Sequence, residues 1–299
     1  MDDILLSIII PYYNLPEYLP RLLSTIPNHP QVEALVIDDH STQGMEAYEQ
    51  VQKDFSGRNI RFLLNDAGMK GTSSARNKGI MEARGEFLFF ADADDFLAED
   101  FWKIVSPYLT DDSDMVIFNR KKQLEASDSS DRVDGYERTV AEAARNKDGN
   151  GLLKARFRLY SMCGRIVRRD IMTSLPIQFP PVLWGEDSVC SVLCGYYVPR
   201  VRVVDEVVYH VLRRSNSMSM QESRIKKHTT RKMLLFTYFF TERKMGLSVI
   251  HKIGLARRNV LTCRLKMLYI GLYELAHGRI PYPSYKNLSN RHYPFNESI

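Results

Sequence analysis

A buried strand that ends in three acids constrains the fold of this chain more than any other stretch. Residues 86–95 read EFLFFADADD, in which five apolar residues (87–91) precede three aspartates within four positions. A continuous apolar run predicts a strand buried on both faces, as in a parallel sheet covered by helices. Crowded carboxylates repel one another unless a cation or hydrogen-bond donors compensate. The stretch therefore predicts either a site for a hard divalent cation or a polar turn in which Asp95 or a neighbour caps the next helix.

Similar apolar runs alternate with helical patterns along the front half of the chain. The runs predict strands over residues 5–10, 34–37, 60–64, 87–91 and 115–118. Apolar residues at helical spacing predict helices near residues 19–26, 45–55 and 72–83. Pro11 is expected to stop the first strand. Alternating strands and helices of these lengths predict an α/β fold with a mostly parallel, doubly wound sheet and helices on both faces.

The pattern is less regular in the middle of the chain. Residues 119–150 are polar and charged, and we expect them to form a mobile excursion. Three more strands are predicted over residues 163–169, 200–204 and 207–212, and a helix is expected to begin at Glu186.

Charge is divided unequally between the two halves. Residues 1–150 carry 16 Lys and Arg against 27 Asp and Glu, whereas residues 151–299 carry 25 against 9. The basic pattern is also helical from residue 223 onward. We therefore predict two parts, an α/β domain over residues 1–222 and a basic helical C-terminal extension over residues 223–299.

The four cysteines show no CxxC pairing, and no secretory signal precedes the first predicted strand. Both features favour buried, reduced thiols and a cytoplasmic protein.

Two predicted strands end in acids, one at Asp38 and Asp39 and the other at Asp92 and Asp94. The two acidic strand ends are suited to bind different parts of one nucleotide. One carboxylate could accept from the base or ribose, and the other could bind a metal that bridges the diphosphate. No GxGxxG follows the first strand, and the segment GMKGTSS lacks the GK[ST] ending of a Walker loop. The sequence therefore gives only weak support for a dinucleotide-binding site or a P-loop.

The ordered motifs of this chain resemble those of family 2 glycosyltransferases of the GT-A fold, of the bacterial polysaccharide type. The motifs that carry the resemblance are SIIIPYYN, VIDDHST, SSARNKGI, FFADADD, WGEDS and RRSNSMS, over roughly residues 4–220. The resemblance implies an inverting transfer of a sugar from a nucleoside diphosphate donor, with uridine as the expected base. The acceptor it implies is a saccharide or a lipid-linked saccharide.

The resemblance also implies roles for donor-binding residues. Tyr13, beside Pro11, would lie against the base, and Asp39 would accept from the base imide. Asp92 would contact the ribose or a metal-bound water. Further donor contacts are implied for Arg76, Arg213 and Arg214, the last two closing over the diphosphate.

By the same resemblance, Asp94 would bind Mn²⁺ or Mg²⁺ between the phosphates, and Asp187 would be the catalytic base. Such a base takes the proton of the acceptor hydroxyl and contributes about 10²–10⁴-fold to the rate. The alternative for Glu186 and Asp187 is a pair of acids that only favour a helix N-terminus. His210 is either a further metal ligand, as in some relatives, or a structurally satisfied histidine.

Basic residues on the helix at 72–83 have a similar alternative. Arg76 and Lys78 would either serve phosphates and sugar hydroxyls or be solvated charges on an exposed helical face.

Two other function classes stay open. A sugar nucleotidyltransferase shares an α/β core and an acid-bound metal, but it should carry a Gly- and Lys-rich loop where PYYN stands here. The second class is a catalytically silent protein that binds a nucleotide sugar or docks to a membrane. The retained Asp39, Asp94 and Asp187 argue against it.

The predicted C-terminal extension combines a leucine stripe with basic residues. The stripe comprises Leu261, Leu265, Leu268, Leu272 and Leu275, at alternating steps of four and three. A helix of this kind is suited to lie at the anionic inner face of the plasma membrane, as a peripheral element. The alternative is that the stripe packs on the first domain or forms a homodimer seam. No nucleic-acid-binding motif accompanies the charge, so nucleic acid is not an expected partner.

Overall fold

The computed structural model describes residues 3–124, 134–146, 149–180 and 185–213, together with Lys244. The chain divides into two compact units, Met1–Thr229 and Thr230–Ile299. The helices and strands described below belong to the first unit. The predicted extension from residue 223, the leucine stripe and Arg214 lie outside the described residues.

The described helices and strands alternate as far as the fourth strand and follow a less regular order after it. The strands are β1 (Leu6–Tyr12), β2 (Val32–Asp38), β3 (Ile60–Leu64), β4 (Phe87–Phe90), β5 (Phe96–Leu97), β6 (Met115–Leu124), β7 (Arg165–Arg168) and β8 (Val201–Arg213). The helices are α1 (Leu19–Thr25), α2 (Met45–Asp54), α3 (Thr72–Glu82), α4 (Phe101–Val105), α5 (Gly135–Arg145), α6 (Asn150–Arg158), α7 (Arg169–Ser174) and α8 (Glu186–Tyr197). A 3₁₀ turn over Ser106–Leu109 follows α4.

All eight strands join one sheet in the order β3-β2-β1-β4-β7-β6-β8-β5. The pairs β1–β2, β1–β4, β2–β3 and β6–β8 are parallel. The pairs β4–β7, β6–β7 and β5–β8 are antiparallel. The sheet is therefore mixed, with its parallel core at β3-β2-β1-β4.

Alternate residues of the central strands face opposite layers. Ile8, Ile10 and Val36 belong to the large core cluster that includes α1 and α2 side chains. Leu35 and Ile37 face the other way and pack against Ala75 of α3. Both faces of the sheet are thus covered by helices, which explains the continuous apolar runs in the sequence.

Helix α3 approaches the sheet closely at Gly79. A Cβ at this position would lie 2.4 Å from Cγ2 of Ile9. A side chain here would push away α3, the helix that carries Arg76.

The prediction that Pro11 stops the first strand was wrong, because β1 runs to Tyr12 with Pro11 paired to Ile37. The Ile9 and Tyr12 carbonyls accept from Ala91 N and Asp39 N, which lie on opposite sides of β1. Since backbone groups alternate along a strand, the nitrogen of Pro11 faces the β4 side, where pairing ends at Ile9. No ladder hydrogen bond is lost there.

Two other expectations need correction. The two strands predicted over 200–204 and 207–212 are one strand, β8, with an irregularity opposite Asn119. At this irregularity Asn119 Nδ2 donates to Asp205 Oδ1 at 2.6 Å, and this hydrogen bond joins β6 to β8. The polar segment 119–150 was not expected to fold, but its described part extends β6 and forms α5.

Helix α5 had a recognisable start signal. The Asp134 carboxylate accepts from the N–H groups of Tyr136 and Glu137, as an N-cap residue does. Tyr136, Val140 and Ala143 form its buried stripe.

Among the described residues, no helix has the length and hydropathy needed to cross a membrane.

Candidate active site

The carboxyl ends of three neighbouring parallel strands bring the acidic motifs to one edge of the sheet. Tyr12 at the end of β1 pairs with Asp38 at the end of β2, and Ile9 pairs with Phe90 at the end of β4. Tyr13, Asp39 and Asp92 follow these strand ends, so the loops that carry them leave the sheet on the same side. This is the edge at which open α/β sheets bind ligands.

Asp39 is held by donors from the loop after β3. Asn65 Nδ2 donates to Asp39 Oδ1 at 2.6 Å, and the Gly71 N–H donates to Asp39 Oδ2 at 2.7 Å. Ser74 Oγ bonds Asn65 Oδ1 at 3.1 Å and fixes the amide. Each carboxylate oxygen has a second lone pair, so Asp39 can still accept from a ligand.

The loops after β1 and β2 are also bonded to each other. Asn14, in the left-handed conformation at φ 51°, accepts through Oδ1 from the N–H groups of Thr42 and Gln43 at 2.8 and 3.0 Å. Its own N–H donates to Ser41 Oγ at 2.9 Å. Tyr13 is left 52% exposed beside this junction, so its ring has a free face for a planar base.

The acidic turn after β4 is fastened to β8 by Asp95. Tyr209 Oη donates to Asp95 Oδ2 at 2.6 Å and accepts from the Asp92 N–H at 2.8 Å. The Leu212 N–H donates to Asp95 Oδ1 at 2.7 Å. Burial and the charges of Asp92 and Asp94 raise the pKa of Asp95 well above its ordinary value.

Asp95 therefore does not cap the next helix, which was one alternative from the sequence. Helix α4 begins at Phe101, with Asp100 at the N-cap position. Asp95 instead fixes the turn that presents Asp92 and Asp94.

Arg76 joins that turn to the start of α8. Its guanidinium is bonded to Asp92 Oδ1 at 2.7 Å, Asp187 Oδ1 at 2.6 Å and Glu186 Oε1 at 3.2 Å. The side chain is only 3% exposed, and its guanidinium carbon lies 5.1 Å from the centre of the Phe179 ring. Arg76 is thus a buried cation shared by three carboxylates and is not a solvated charge.

The charges at this cluster shift one another's pKa. Burial alone would lower the pKa of Arg76, but Asp187 and Asp92 raise it well above its ordinary value. Burial and the charge of Asp187 raise the pKa of Glu186 to about 7, against the opposing effect of Arg76. Burial likewise raises the pKa of Asp187, which Arg76 opposes. A carboxylate with a raised pKa is a stronger base than an exposed one.

The two acids of α8 occupy its first turn. Gly185 precedes them in the left-handed conformation at φ 80°, where a residue with a side chain would be strained. The Met162 N–H faces Asp187 Oδ2 at 3.5 Å, so this second oxygen points toward the turn before β7. The helix N-terminus favours the negative charge, but the bonds to Arg76 show that these acids do more than favour a helix start.

Lys78 and Arg213 are the other described basic candidates. Lys78 Nζ pairs with Asp66 and Glu82, each at 2.9 Å, so it is a surface charge of α3 and does not join the Arg76 cluster. Arg213 is exposed and follows Leu212, whose backbone is bonded to Asp95, so it begins beside the acidic turn.

His210 lies against an aromatic ring. Its imidazole stacks on Phe96 at 4.7 Å between centroids, and the Arg21 guanidinium covers Phe96 at 3.8 Å. Burial, Lys121 and Arg21 lower the pKa of His210. These contacts hold the imidazole through its ring face, and metal ligation by His210 stays a prediction.

Sequence reasoning missed two residues that build the site. Asn65 orients Asp39, and Tyr209 ties Asp92 to Asp95. Asn65 could have been suspected because it directly follows β3 at the same sheet edge. Tyr209 carried no local signal, since its partners are more than 100 residues away.

A divalent cation fits the chemistry of the acidic turn. Asp92 and Asp94 supply hard carboxylate oxygens, and Mg²⁺ is commonly bound by one or two carboxylates plus substrate phosphates. Within the described ranges, no cluster of three or more His, Cys, Asp or Glu side chains forms an all-protein cation cage.

The curated relatives of this chain are bacterial glycosyltransferases by name. EpsH of Bacillus subtilis is 25% identical over 221 residues, which cover 70% of this chain and 61% of EpsH. The poly(ribitol-phosphate) β-N-acetylglucosaminyltransferase TarS of Staphylococcus aureus is 23% identical over 210 residues, or 68% of this chain and 35% of TarS. The chain thus spans less than two thirds of either relative.

Solved structures show the same fold. TarS in complex with UDP-GlcNAc matches with a TM-score of 0.65 at 18% identity, over 90% of this chain and 73% of that one. The mannosyltransferase PcManGT of Pyrobaculum calidifontis, in complex with GDP-Man and Mn²⁺, matches with a TM-score of 0.57 at 17% identity, over 95% and 79%. The fold class predicted from the sequence is confirmed.

The family model named Glycosyl transferase family 2 matches residues 7–175, more than half of the chain. The match begins in β1 and includes Asp39, Arg76 and the acidic turn. This chain belongs to glycosyl transferase family 2.

Proposed function

We propose that this protein transfers a sugar from a UDP-sugar to a hydroxyl of a saccharide or lipid-linked saccharide, with inversion and with the help of a divalent metal. The observation that carries the proposal is the Arg76 cluster. It joins Asp92 of the acidic turn to Asp187 of α8, 111 positions further along than Arg76. Asp92, a candidate donor-binding residue, and Asp187, the candidate base, are thereby bonded to the same buried cation.

The donor base is proposed to bind at the loops after β1 and β2. Tyr13, next to Pro11, offers an exposed ring, and Asp39 offers an acceptor that Asn65 and Gly71 have already oriented. An oriented carboxylate accepts well from the imide N–H of uracil. TarS, a relative, was solved with UDP-GlcNAc, which supports uridine as the base.

The donor diphosphate is proposed to lie over the acidic turn. Asp94 would hold Mn²⁺ or Mg²⁺, with Asp92 touching the ribose or a metal-bound water. When bound, such a cation neutralises the charge that develops on the leaving diphosphate. Arg213 and Arg214 are proposed to add positive charge on the same side, since Leu212 N–H anchors the end of β8 to Asp95.

Asp187 is proposed as the base for the acceptor. Its Oδ1 is bonded to Arg76, whereas among the described residues its Oδ2 has the long contact to Met162 N–H. The acceptor hydroxyl would give its proton to Asp187 while its oxygen attacks the anomeric carbon and the diphosphate leaves from the opposite face. Attack opposite the leaving group inverts the anomeric carbon.

Glu186 and Arg76 support that base. Burial raises the pKa of Asp187 and the charge of Arg76 opposes that rise, while Glu186 shares the same guanidinium. The pKa of Glu186, raised to about 7, leaves this neighbour partly protonated near neutrality, which limits the negative charge beside Asp187.

A nucleotide panel tests the donor proposal. Unfolding temperature is measured with UDP, GDP and UDP-sugars, each with and without Mn²⁺, since a ligand that binds the folded state raises it. A metal-dependent rise with UDP compounds is expected. Absence of any rise with any nucleotide contradicts the proposal. Release of UDP from a UDP-sugar separates a transferase from a silent binding protein, and formation of pyrophosphate would indicate a nucleotidyltransferase.

A further inference from the structure

Arg120 is a half-buried cation that bonds to none of the described carboxylates. It belongs to β6, and its guanidinium carbon lies 4.1 Å from the centre of the Tyr136 ring. Its Nε is buried and has no hydrogen-bond partner among the described residues. Asp134, the described acid at the start of α5, is paired with Lys122 and with the first N–H groups of that helix.

The stack of Arg120 on Tyr136 borders the base. Tyr136 Oη donates to the Phe118 carbonyl at 3.2 Å and would lie 3.3 Å from a Cβ on Gly164. Gly164 follows Met162 by two residues, and the Met162 N–H faces Asp187 Oδ2. The stacked pair therefore abuts the turn that contacts the base. In agreement with this placement, the pKa of Asp187, raised chiefly by burial, is lowered slightly by the charge of Arg120.

Stacking determines what this guanidinium can bind. The guanidinium carbon lies over the Tyr136 ring and Nε is buried, so ligand binding would fall to the two terminal Nη groups. A guanidinium presented in this way matches the oxygens of a phosphate or carboxylate in a two-bond fork.

An anionic acceptor near Asp187 would need a cation other than Arg76. Asp92, Glu186 and Asp187 are all bonded to Arg76, so that cation is already neutralised. An anionic acceptor that approaches Asp187 would meet like charges unless another cation receives it. The charge of Arg120 acts on Asp187, and Arg120 forms no ion pair with a described carboxylate.

We propose that Arg120, held on the Tyr136 ring, binds an anionic group of the acceptor saccharide next to the hydroxyl that Asp187 deprotonates. The inference rests on the proposed function and names the acceptor class, a saccharide that bears a phosphate or a carboxylate. Arg120 is then a specificity residue for the acceptor and leaves donor binding unaffected.

Three matched probes test this role. A neutral hexose, a hexose 6-phosphate and a hexuronate are titrated by calorimetry or ligand-observed NMR into protein saturated with UDP and Mg²⁺. The wild type should bind at least one anionic probe about tenfold or more tightly than the neutral one, as bonds to a charged group allow. The phosphate and carboxylate arms identify which anion is preferred.

Variants assign the preference to a residue. Arg120→Met keeps an apolar stem over Tyr136 and should abolish the preference, whereas Arg120→Lys should keep part of it because charge remains without the fork. Lys121→Met is the control, since Lys121 is the next residue of β6 and is exposed. It should keep the full preference, and UDP should bind all four proteins equally.

Two results overturn the inference. One is equal affinity of the wild type for neutral and anionic probes, which decides the matter even if Arg120→Met does not fold. The other is an equal loss in Arg120→Met and Lys121→Met, which would indicate non-specific attraction. If UDP fails to bind, the proposed function is rejected, and the same titrations without UDP still decide whether Arg120 binds the anion.

Discussion

Arg76 Nη1 lies 2.6 Å from Asp187 Oδ1, across 111 positions of sequence. The same guanidinium reaches Asp92 through Nη2 at 2.7 Å. The site is therefore organised by one buried cation from α3, which holds an acid of the β4 turn and an acid of α8 in one cluster. The acids of α8 depend on it more than Asp92, whose side chain is 41% exposed, because buried like charges are costly when their counter-ion is removed.

Arg76→Met should destabilise the fold strongly. The change leaves Asp92, Glu186 and Asp187 without their shared cation, and breaking a buried ion pair in this way costs about 3–5 kcal/mol. Urea unfolding at pH 7.5 measures the loss. Arg138→Met on the exposed side of α5 is the control and should lie within about 0.5 kcal/mol of wild type. A loss for Arg76→Met no larger than for the control would show that the cluster does not stabilise the fold.

Asp94→Asn should remove metal-dependent binding of UDP. The amide is a weak ligand for Mn²⁺ or Mg²⁺, so affinity with metal should fall by about tenfold or more, while the weak binding without metal is kept. His210→Phe is the matched comparison, since it retains the stack on Phe96 and should leave metal-dependent binding intact. Calorimetric titration with and without Mn²⁺ separates the two. Unchanged binding in Asp94→Asn rejects Asp94 as the ligand, and a selective loss of metal-dependent binding in His210→Phe would restore His210 as one.

Tyr209→Phe should weaken metal-dependent binding of UDP indirectly. Removing the hydroxyl leaves the Asp92 N–H and Asp95 Oδ2 without their shared partner, at a cost of about 1–3 kcal/mol in stability. We expect the acidic turn to loosen, so UDP affinity should fall more with Mn²⁺ than without it. Calorimetry under both conditions, beside a urea unfolding curve, gives the result. An equal fall under both conditions would mean that Tyr209 only stabilises the fold.

Glu186→Gln should flatten the pH dependence of stability. The pKa of Glu186 is raised from 4.5 to about 7 in the folded protein, chiefly by burial. Between these values the folded state keeps a proton that the unfolded state has released, so the free energy of unfolding falls as pH rises through this window. Above about pH 7 the loss is complete.

The contribution of Glu186 is on the order of 3 kcal/mol. Unfolding free energies of wild type and Glu186→Gln are compared from pH 4.5 to 8, since glutamine cannot titrate but can still accept from Arg76. The difference between the two curves should change steadily across the window. Parallel curves would contradict the raised pKa of Glu186.

Most of the fold could be predicted from the sequence because its signals are local. Continuous apolar runs gave β3 its observed bounds and the other central strands to within a few residues. The end of β1 was missed, because whether Pro11 costs a hydrogen bond depends on where β4 stops pairing. Helix α5 was missed although Asp134 marked its start, because the surrounding segment is highly charged.

Side-chain roles in the site were less accessible from the sequence. The acids of the turn and of α8 stood out by their spacing, but nothing local to Arg76 shows that it is buried among three carboxylates. Lys78, two positions later on the same helix, had the same pattern and pairs with surface acids. Burial decides between them, and Arg76 is buried because α3 packs on the sheet with Arg76 against Phe179.

Asp187→Asn tests the central claim most directly, through UDP binding and UDP release measured on the same preparation. Asparagine can keep the bond to Arg76 but cannot take a proton, so UDP should bind with Mn²⁺ as in wild type. Release of UDP from a UDP-sugar, to an acceptor or to water, should fall by about 10²–10⁴-fold. Release at the wild-type rate, with binding intact, would show that Asp187 is not the base and would contradict the account.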